Sequence, residues 1–269
     1  MINLDLLELG DCFTPEELVN EIFRQNPDLP LPIPVENIAK STGILDIQAI
    51  RTDDVEGMLV ADEGKDCGVI YYKESSPLGR QRFTIGHELG HFLLLHHNGR
   101  QSCLPNDIRI GGGSNINQLE QEANLFSQML LMPDSHITGF INGCRPDLNL
   151  LKNISDSFVM SFEAIANKCA SISSWPFALI YSKDKVVRYA WKDHKLFPFW
   201  LPLKRGDRLP SISQAARLNQ PNLTISNEEE VIASTWLSSG RYGQLPRRLI
   251  EQTFTQENNY QVTMLRIDL

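Results

Sequence analysis

His87-Glu88-Leu89-Gly90-His91 lies near the middle of a mostly apolar, helix-length stretch, and no other segment restricts the fold as tightly. Phe83, Leu89, Phe92 and Leu93 recur at helical spacings before polarity returns at His97, Asn98 and Gly99, which predicts a helix over about residues 77–96. Ser76 is placed to cap it, and Pro77 suits its first position, where a missing N–H costs nothing. Residues four apart on a helix stand one turn apart on the same face, so His87 and His91 can give two imidazole nitrogens to one metal ion. Glu88 is turned by about 100° from His87 and flanks that ion, within reach of a water on it. Two neutral nitrogen ligands, an open position and a carboxylate base are what a zinc hydrolase needs. Two buried, hydrogen-bonded histidines would give the same spacing without a metal. The chain has only six histidines, however, and a glutamate directly follows the first of this pair. Gly90 costs about 1 kcal/mol inside a helix, which makes sense where a neighbouring element or a substrate backbone comes close. His96 falls about 180° around the helix from His87, off the metal face, and His97 is expected at the helix end as a cation favoured by the dipole.

A second helical pattern begins near Asn115: Leu119, Ala123, Phe126, Leu130 and Leu131 share a face, and Met132-Pro133 closes it. It carries the candidates for a third ligand. Glu120 and Glu122 lie about 30 residues past His91, a separation that lets a returning helix bring a carboxylate to the histidines. They point roughly 200° apart, so spacing does not choose between them, and both are also explained as solvated first-turn glutamates favoured by the dipole. Glu120 shares a stripe with Asn124, which can orient a ligand by hydrogen bonding. Between the two helices, Gly111-Gly112-Gly113-Ser114 reads as a turn or loop, and the absence of a following G-K-[ST] weakens any nucleotide reading.

The remaining pattern is mixed. Thr14-Pro15-Glu16-Glu17 opens an amphipathic helix, Val35–Ser41 a shorter one, and Leu45–Ile50, Glu56–Ala61 and Gly68–Tyr72 read as strands. Helices are expected over Leu148–Ile154 and Ser161–Ser171, with a break near Ser155-Asp156-Ser157. Phe177–Tyr181 and Val186–Trp191 bracket a hairpin turn, and Tyr260–Asp268 alternates like a strand with one buried face. The fold class is therefore α+β: an N-terminal helical domain with a small sheet over 1–140, a helical segment over 141–174 and a C-terminal α+β domain over 175–269. No run of 18 apolar residues occurs, and the acidic start Met1-Ile2-Asn3-Leu4-Asp5 does not read as a secretory signal. Five dispersed cysteines without a C-x-x-C pair favour reduced thiols, so a cytoplasmic protein without a membrane span is expected. A net charge of −8, and a single cation, Lys168, across Ser161–Lys168, disfavour direct nucleic-acid binding.

Arg82-Phe83-Thr84-Ile85-Gly86-His87-Glu88-Leu89-Gly90-His91, followed by Glu120-Gln121-Glu122-Ala123-Asn124-Leu125-Phe126 and Leu130-Leu131-Met132-Pro133, resembles the ImmA/IrrE family of metallo-endopeptidases. The likeness is sharp over roughly residues 55–135. It implies a zincin-like domain with a thermolysin-like zinc site, in which Glu120 joins His87 and His91 as the metal ligands and Glu88 is the general base. It further implies a protein substrate, since some relatives cleave helix-turn-helix repressors of the XRE type, together with a helix-turn-helix-like middle segment and a sensory, GAF-like C-terminal domain. Gly86 and Ser127 stand where many relatives carry alanine. The competing reading is a non-enzymatic regulator that binds DNA or protein through its middle or C-terminal region around a structural or empty site. The intact Glu88 speaks against it, because a structural zinc site needs no base. Tyr71, Tyr72, His96 and His97 are all chemically able to stabilise an oxyanion, and the sequence selects none of them.

Overall fold

The computed structural model describes residues 2–97, 101–103, 117–219, 222–239 and 244–267. The fold is α+β, with two sheets and a helical region between them in sequence. The Gly111-Gly112-Gly113-Ser114 turn lies outside the described residues. The chain divides into two compact units, residues 1–136 with 156–161, and residues 137–155 with 162–269.

The first unit opens with α1 (Leu6–Gly10) and α2 (Pro15–Gln25). The start of α2 is a full capping box: Glu17 N–H donates to the Thr14 hydroxyl, and the Glu17 carboxylate accepts from Thr14 N–H. Next come α3 (Val35–Ser41), β1 (Ile44–Ile50), β2 (Gly57–Ala61) and β3 (Gly68–Lys73). With β4 (Gln101–Cys103) they form a sheet in the order β1-β3-β2-β4, where β1 runs parallel to β3 and the other pairs are antiparallel. The helix carrying both histidines is α4 (Leu78–Leu93), which packs against β2, β3 and the returning α5 (Gln118–Leu131). Covered by the sheet on one side and by α5 on another, α4 is buried at every residue from Arg82 to Phe92. Phe83 and Leu89, at 2% and 0% exposure, each contribute about 2 kcal/mol through burial.

The start of α4 departs from the expected one. Pro77 itself is the N-cap and makes no side-chain cap bond, while the Ser76 hydroxyl donates to Glu56 Oε2 at 2.9 Å. Its end comes three residues earlier than the periodicity suggested. Leu94 is extended (φ −74, ψ 105), and Lys65 Nζ, from the β2–β3 turn, donates to the carbonyls of His91 and Leu94 at 2.7 Å each. A lysine from another element thus does what the next helical turn would otherwise do.

Farther along come α6 (Asp134–Ile141), α7 (Leu148–Phe158) and α8 (Phe162–Ile172). The break expected at Ser155-Asp156-Ser157 is absent. Leu148, Leu151, Ile154 and Phe158 form one fully buried stripe that carries α7 through those residues, and the chain turns at Val159, where φ is +51.

The second unit holds β5 (Phe177–Lys183), β6 (Val186–Lys192), α9 (Gln214–Arg217), β7 (Thr224–Ile225), β8 (Glu229–Val231), β9 (Leu249–Thr255) and β10 (Tyr260–Arg266). All pairs are antiparallel, in the order β6-β5-β10-β9-β7, with β8 also paired to β9. The β5–β6 hairpin turns through Asp184 and Lys185, both at positive φ, and Asn259 Nδ2 steadies the turn by donating to Asp184 Oδ1. β10 lies at the centre of the sheet and is buried at every position from Gln261 to Arg266, instead of on one face as its alternation suggested. Its polar residues have partners in place of water: the Thr263 and Thr253 hydroxyls meet at 3.2 Å, and Arg266 Nη1 donates to Pro146 O and Glu228 Oε1. Phe197 and Trp236 belong to this core, and Trp200 is exposed. Among the described residues no helix is long and apolar enough to cross a membrane.

Candidate metal centre

Three side chains from two helices converge. His87 Nε2 and His91 Nε2, one turn apart on α4, lie 3.1 Å from each other. Glu120, in the first turn of α5, places Oε2 at 3.1 Å from His87 Nε2 and Oε1 at 3.4 Å from His91 Nε2. Both imidazoles are fully buried, and the Glu120 side chain is 14% exposed. A zinc ion held by nitrogen and oxygen at about 2.0–2.1 Å has tetrahedral edges of about 3.3–3.4 Å, so the three separations fit the spacing of such a donor set.

The protonation states fit as well. Burial drives His91 toward its neutral form, the form that ligates. Glu120 is pushed up by burial, but its contacts with His87 and His91 outweigh this and hold the carboxylate ionised well below its ordinary range. Asn124, one turn beyond Glu120 on α5, puts its Oδ1 at 3.1 Å from His87 Nδ1. The His87 Nδ1–H donates to that oxygen, which leaves the Nε2 lone pair aimed at the centre. Glu120 is thereby separated from Glu122, which turns to another pair of histidines. The choice left open by spacing is made by the direction in which each carboxylate leaves α5.

Glu88 is fully buried beside β2. Gly57 is what lets the strand come so near: a Cβ there would lie 2.5 Å from Glu88 Oε1 and 2.5 Å from Thr84 Cγ2. Gly90 has a similar role toward α5, since a Cβ would stand 3.1–3.3 Å from Phe126 and Ala123. The neighbouring element expected near Gly90 is therefore α5. Gly86 and Ser127 face each other across the same helix pair. A Cβ on Gly86 would meet Ser127 Oγ at 2.6 Å, and that hydroxyl donates to Phe83 O at 2.8 Å.

His97 is not an exposed cation at the end of the helix. It is fully buried, desolvation pushes its pKa down to about 4, and its Nδ1 lies 2.8 Å from His91 Nδ1. Its Nε2 is 3.0 Å from Glu122 Oε2, which also lies 2.5 Å from His96 Nε2. Burial would raise Glu122, but bonds from His97, His96 and Gln118 outweigh it and hold the carboxyl at about 2. Sequence reasoning missed this arrangement because it carried α4 to about residue 96, which left His97 at the helix end instead of turned back toward His91. The available signal was spacing: His97 lies six positions after His91, as in H-E-x-x-H-x-x-G-x-x-H sites, with Leu94 where that pattern has glycine.

Residues 44–170 match the family described as the IrrE N-terminal-like domain, Peptidase_M78. A Mycobacterium tuberculosis transcriptional regulator of known structure is 11% identical and superposes with a TM-score of 0.48, over 97% of this chain and 74% of that one. No curated protein is significantly similar to the chain. Residues 44–170, then, form a domain of the IrrE N-terminal-like type.

Proposed function

We propose that the protein is a zinc-dependent endopeptidase whose substrate is a protein partner, an XRE-type helix-turn-helix repressor. The observation that carries this reading is the convergence of His87, His91 and Glu120 around one point, with a buried carboxylate, Glu88, on the same helix. His87, His91 and Glu120 would hold the metal. Zinc bound there supplies a Lewis acid and lowers the pKa of a bound water toward about 7. Glu88 takes the proton from the attacking water at its carboxylate and delivers it to the leaving amine. Asn124 keeps the His87 ring in its ligating tautomer, and Gly57 keeps β2 close against the base. The repressor as substrate rests on the family resemblance. So do the roles of the parts: a peptidase domain over 1–140, a helical segment over 141–174 and a sensory domain over 175–269.

The test is a co-incubation of the protein, zinc and a helix-turn-helix repressor of the XRE type. Cleavage is expected from the wild type, none from Glu88→Gln, and zinc content is retained in Glu88→Gln but lost in Glu120→Ala. Full cleavage by Glu88→Gln removes the assigned base. Digestion of generic substrates at the same rate as the repressor removes the dedicated partner.

A further inference from the structure

Beyond the three ligands, the centre has a second line of contacts: Glu122 to His97 to His91. We propose that His97, anchored by Glu122, is a positioning residue that fixes the tautomer and ring orientation of the ligand His91. The inference rests on the metal-centre reading above.

The direction of the chain follows from which atoms can donate. Glu122 Oε2, ionised, only accepts, so the proton between it and His97 sits on His97 Nε2, 3.0 Å away. Neutral His97 then has its lone pair on Nδ1, which faces His91 Nδ1 at 2.8 Å. That short contact needs one proton, and it comes from His91 Nδ1–H. The lone pair of His91 is left on Nε2, the atom 3.1 Å from His87 Nε2 and 3.4 Å from Glu120 Oε1. Reversing the proton would place a hydrogen on His91 Nε2 and close it to a metal. His97 therefore does for His91 what Asn124 does for His87: an acceptor on the outer nitrogen directs the inner one. Both His91 and His97 are fully buried, so no water competes for the contact.

Two other roles for His97 are excluded by the same atoms. As the third histidine of a six-residue spacing it would ligate the metal, but its ring meets the Nδ1 side of His91, away from the Nε2 atoms. His96, His97 and Glu122 could also form a second metal group. A metal on His97 Nε2 would push the proton to His97 Nδ1, and the 2.8 Å contact would then require His91 to carry its proton on Nε2. The second metal would displace the first.

The experiment measures zinc affinity by chelator competition, zinc stoichiometry, and the visible absorption of the Co²⁺-substituted protein. It uses the full chain as wild type, His97→Phe, His97→Gln, Glu122→Ala and His96→Ala. His97→Phe keeps the bulk and loses the acceptor, so zinc affinity should fall about 10–100-fold and the Co²⁺ bands should shift. His97→Gln accepts from His91 through Oε1 and donates to Glu122 through its amide, so its affinity should remain well above that of His97→Phe. Glu122→Ala, at a partly exposed site, should weaken zinc in the same direction should His97→Phe fail to fold. His96→Ala should leave affinity unchanged. Equal affinities for wild type, His97→Phe and Glu122→Ala overturn the proposal while leaving the metal centre standing. A stoichiometry of two zinc ions that drops to one in His96→Ala overturns it in favour of a second site. A wild type that binds no zinc overturns both this inference and the peptidase reading.

Discussion

Exchanging Gly86 for alanine places a methyl group 2.6 Å from Ser127 Oγ, about 0.8 Å inside ordinary contact, with Ser127 Cβ at 3.3 Å behind it. The hydroxyl cannot swing aside without giving up its buried bond to Phe83 O. Overpacking of this kind costs about 1–3 kcal/mol, and the lost hydrogen bond about 1 kcal/mol more. Against this stands a helix-propensity gain of about 1 kcal/mol for replacing glycine. Gly86→Ala should therefore destabilise by about 1–3 kcal/mol. Ser127→Ala alone gives up one hydrogen bond and should cost about 1 kcal/mol. In the double variant the obstacle is gone, the two methyl groups meet at near-normal distance, and the propensity gain remains. Its stability should lie close to that of wild type, so the coupling in the double-mutant cycle is favourable by about 2–4 kcal/mol. Urea unfolding of the four proteins with zinc chelated reads this directly from the midpoints, given a common m-value. Additive effects within about 0.5 kcal/mol would show that the two residues do not share one space, and the account of the α4–α5 contact would fail.

Gly57→Ala should leave zinc content intact yet cut repressor cleavage by at least about tenfold, because the added Cβ displaces Glu88 from its position; unchanged cleavage would mean that Glu88 is not the base. Removing zinc with a chelator should lower Tm, since an ion that binds only the folded state stabilises it by mass action, and the His87→Ala protein should no longer respond to zinc at all. Burial raises the pKa of Glu251, so its carboxyl binds its proton more tightly folded than unfolded. That contribution is complete below about pH 4 and fades as pH rises through the raised value. Glu251→Gln, which also turns an amide N–H₂ toward either Trp236 Nε1–H or Ala215 N–H, should cost about 1–3 kcal/mol. Its deficit against wild type should be larger at pH 4 than at pH 7 in urea unfolding; a pH-independent deficit would contradict the raised pKa.

Elements whose signals were local could be read from the chain. Thr14 and Glu17 marked α2, the β-branched and aromatic run Gly68–Tyr72 marked a strand, and Ser182–Lys185 separated the apolar runs Phe177–Tyr181 and Val186–Trp191. His87, His91 and Glu120 could be put forward as ligands because two are set by helical spacing and the third by a resemblance, and the structure brings the three together. What stayed hidden depended on distant partners. The end of α4 is set by Lys65, twenty-six residues upstream of His91, and the role of His97 by Glu122, twenty-five residues downstream of it. α6 begins directly after the Pro133 that closes α5, so no polar linker sets it apart. β10 looked half-exposed because its polar residues, Gln261, Thr263 and Arg266, alternate with apolar ones, and only the strands on either side supply the partners that let those residues be buried.

The bond from Lys65 ties the length of a surface turn to the geometry of an interior helix. Its ammonium must span from the bend between Ala61 and Gly68 to two carbonyls, one of them belonging to His91, a candidate metal ligand. A single inserted residue in that bend would pull the tether out of reach and leave the end of the helix free to fray. Loops of this kind usually tolerate changes of length; this one is held to a fixed count by what lies beneath it.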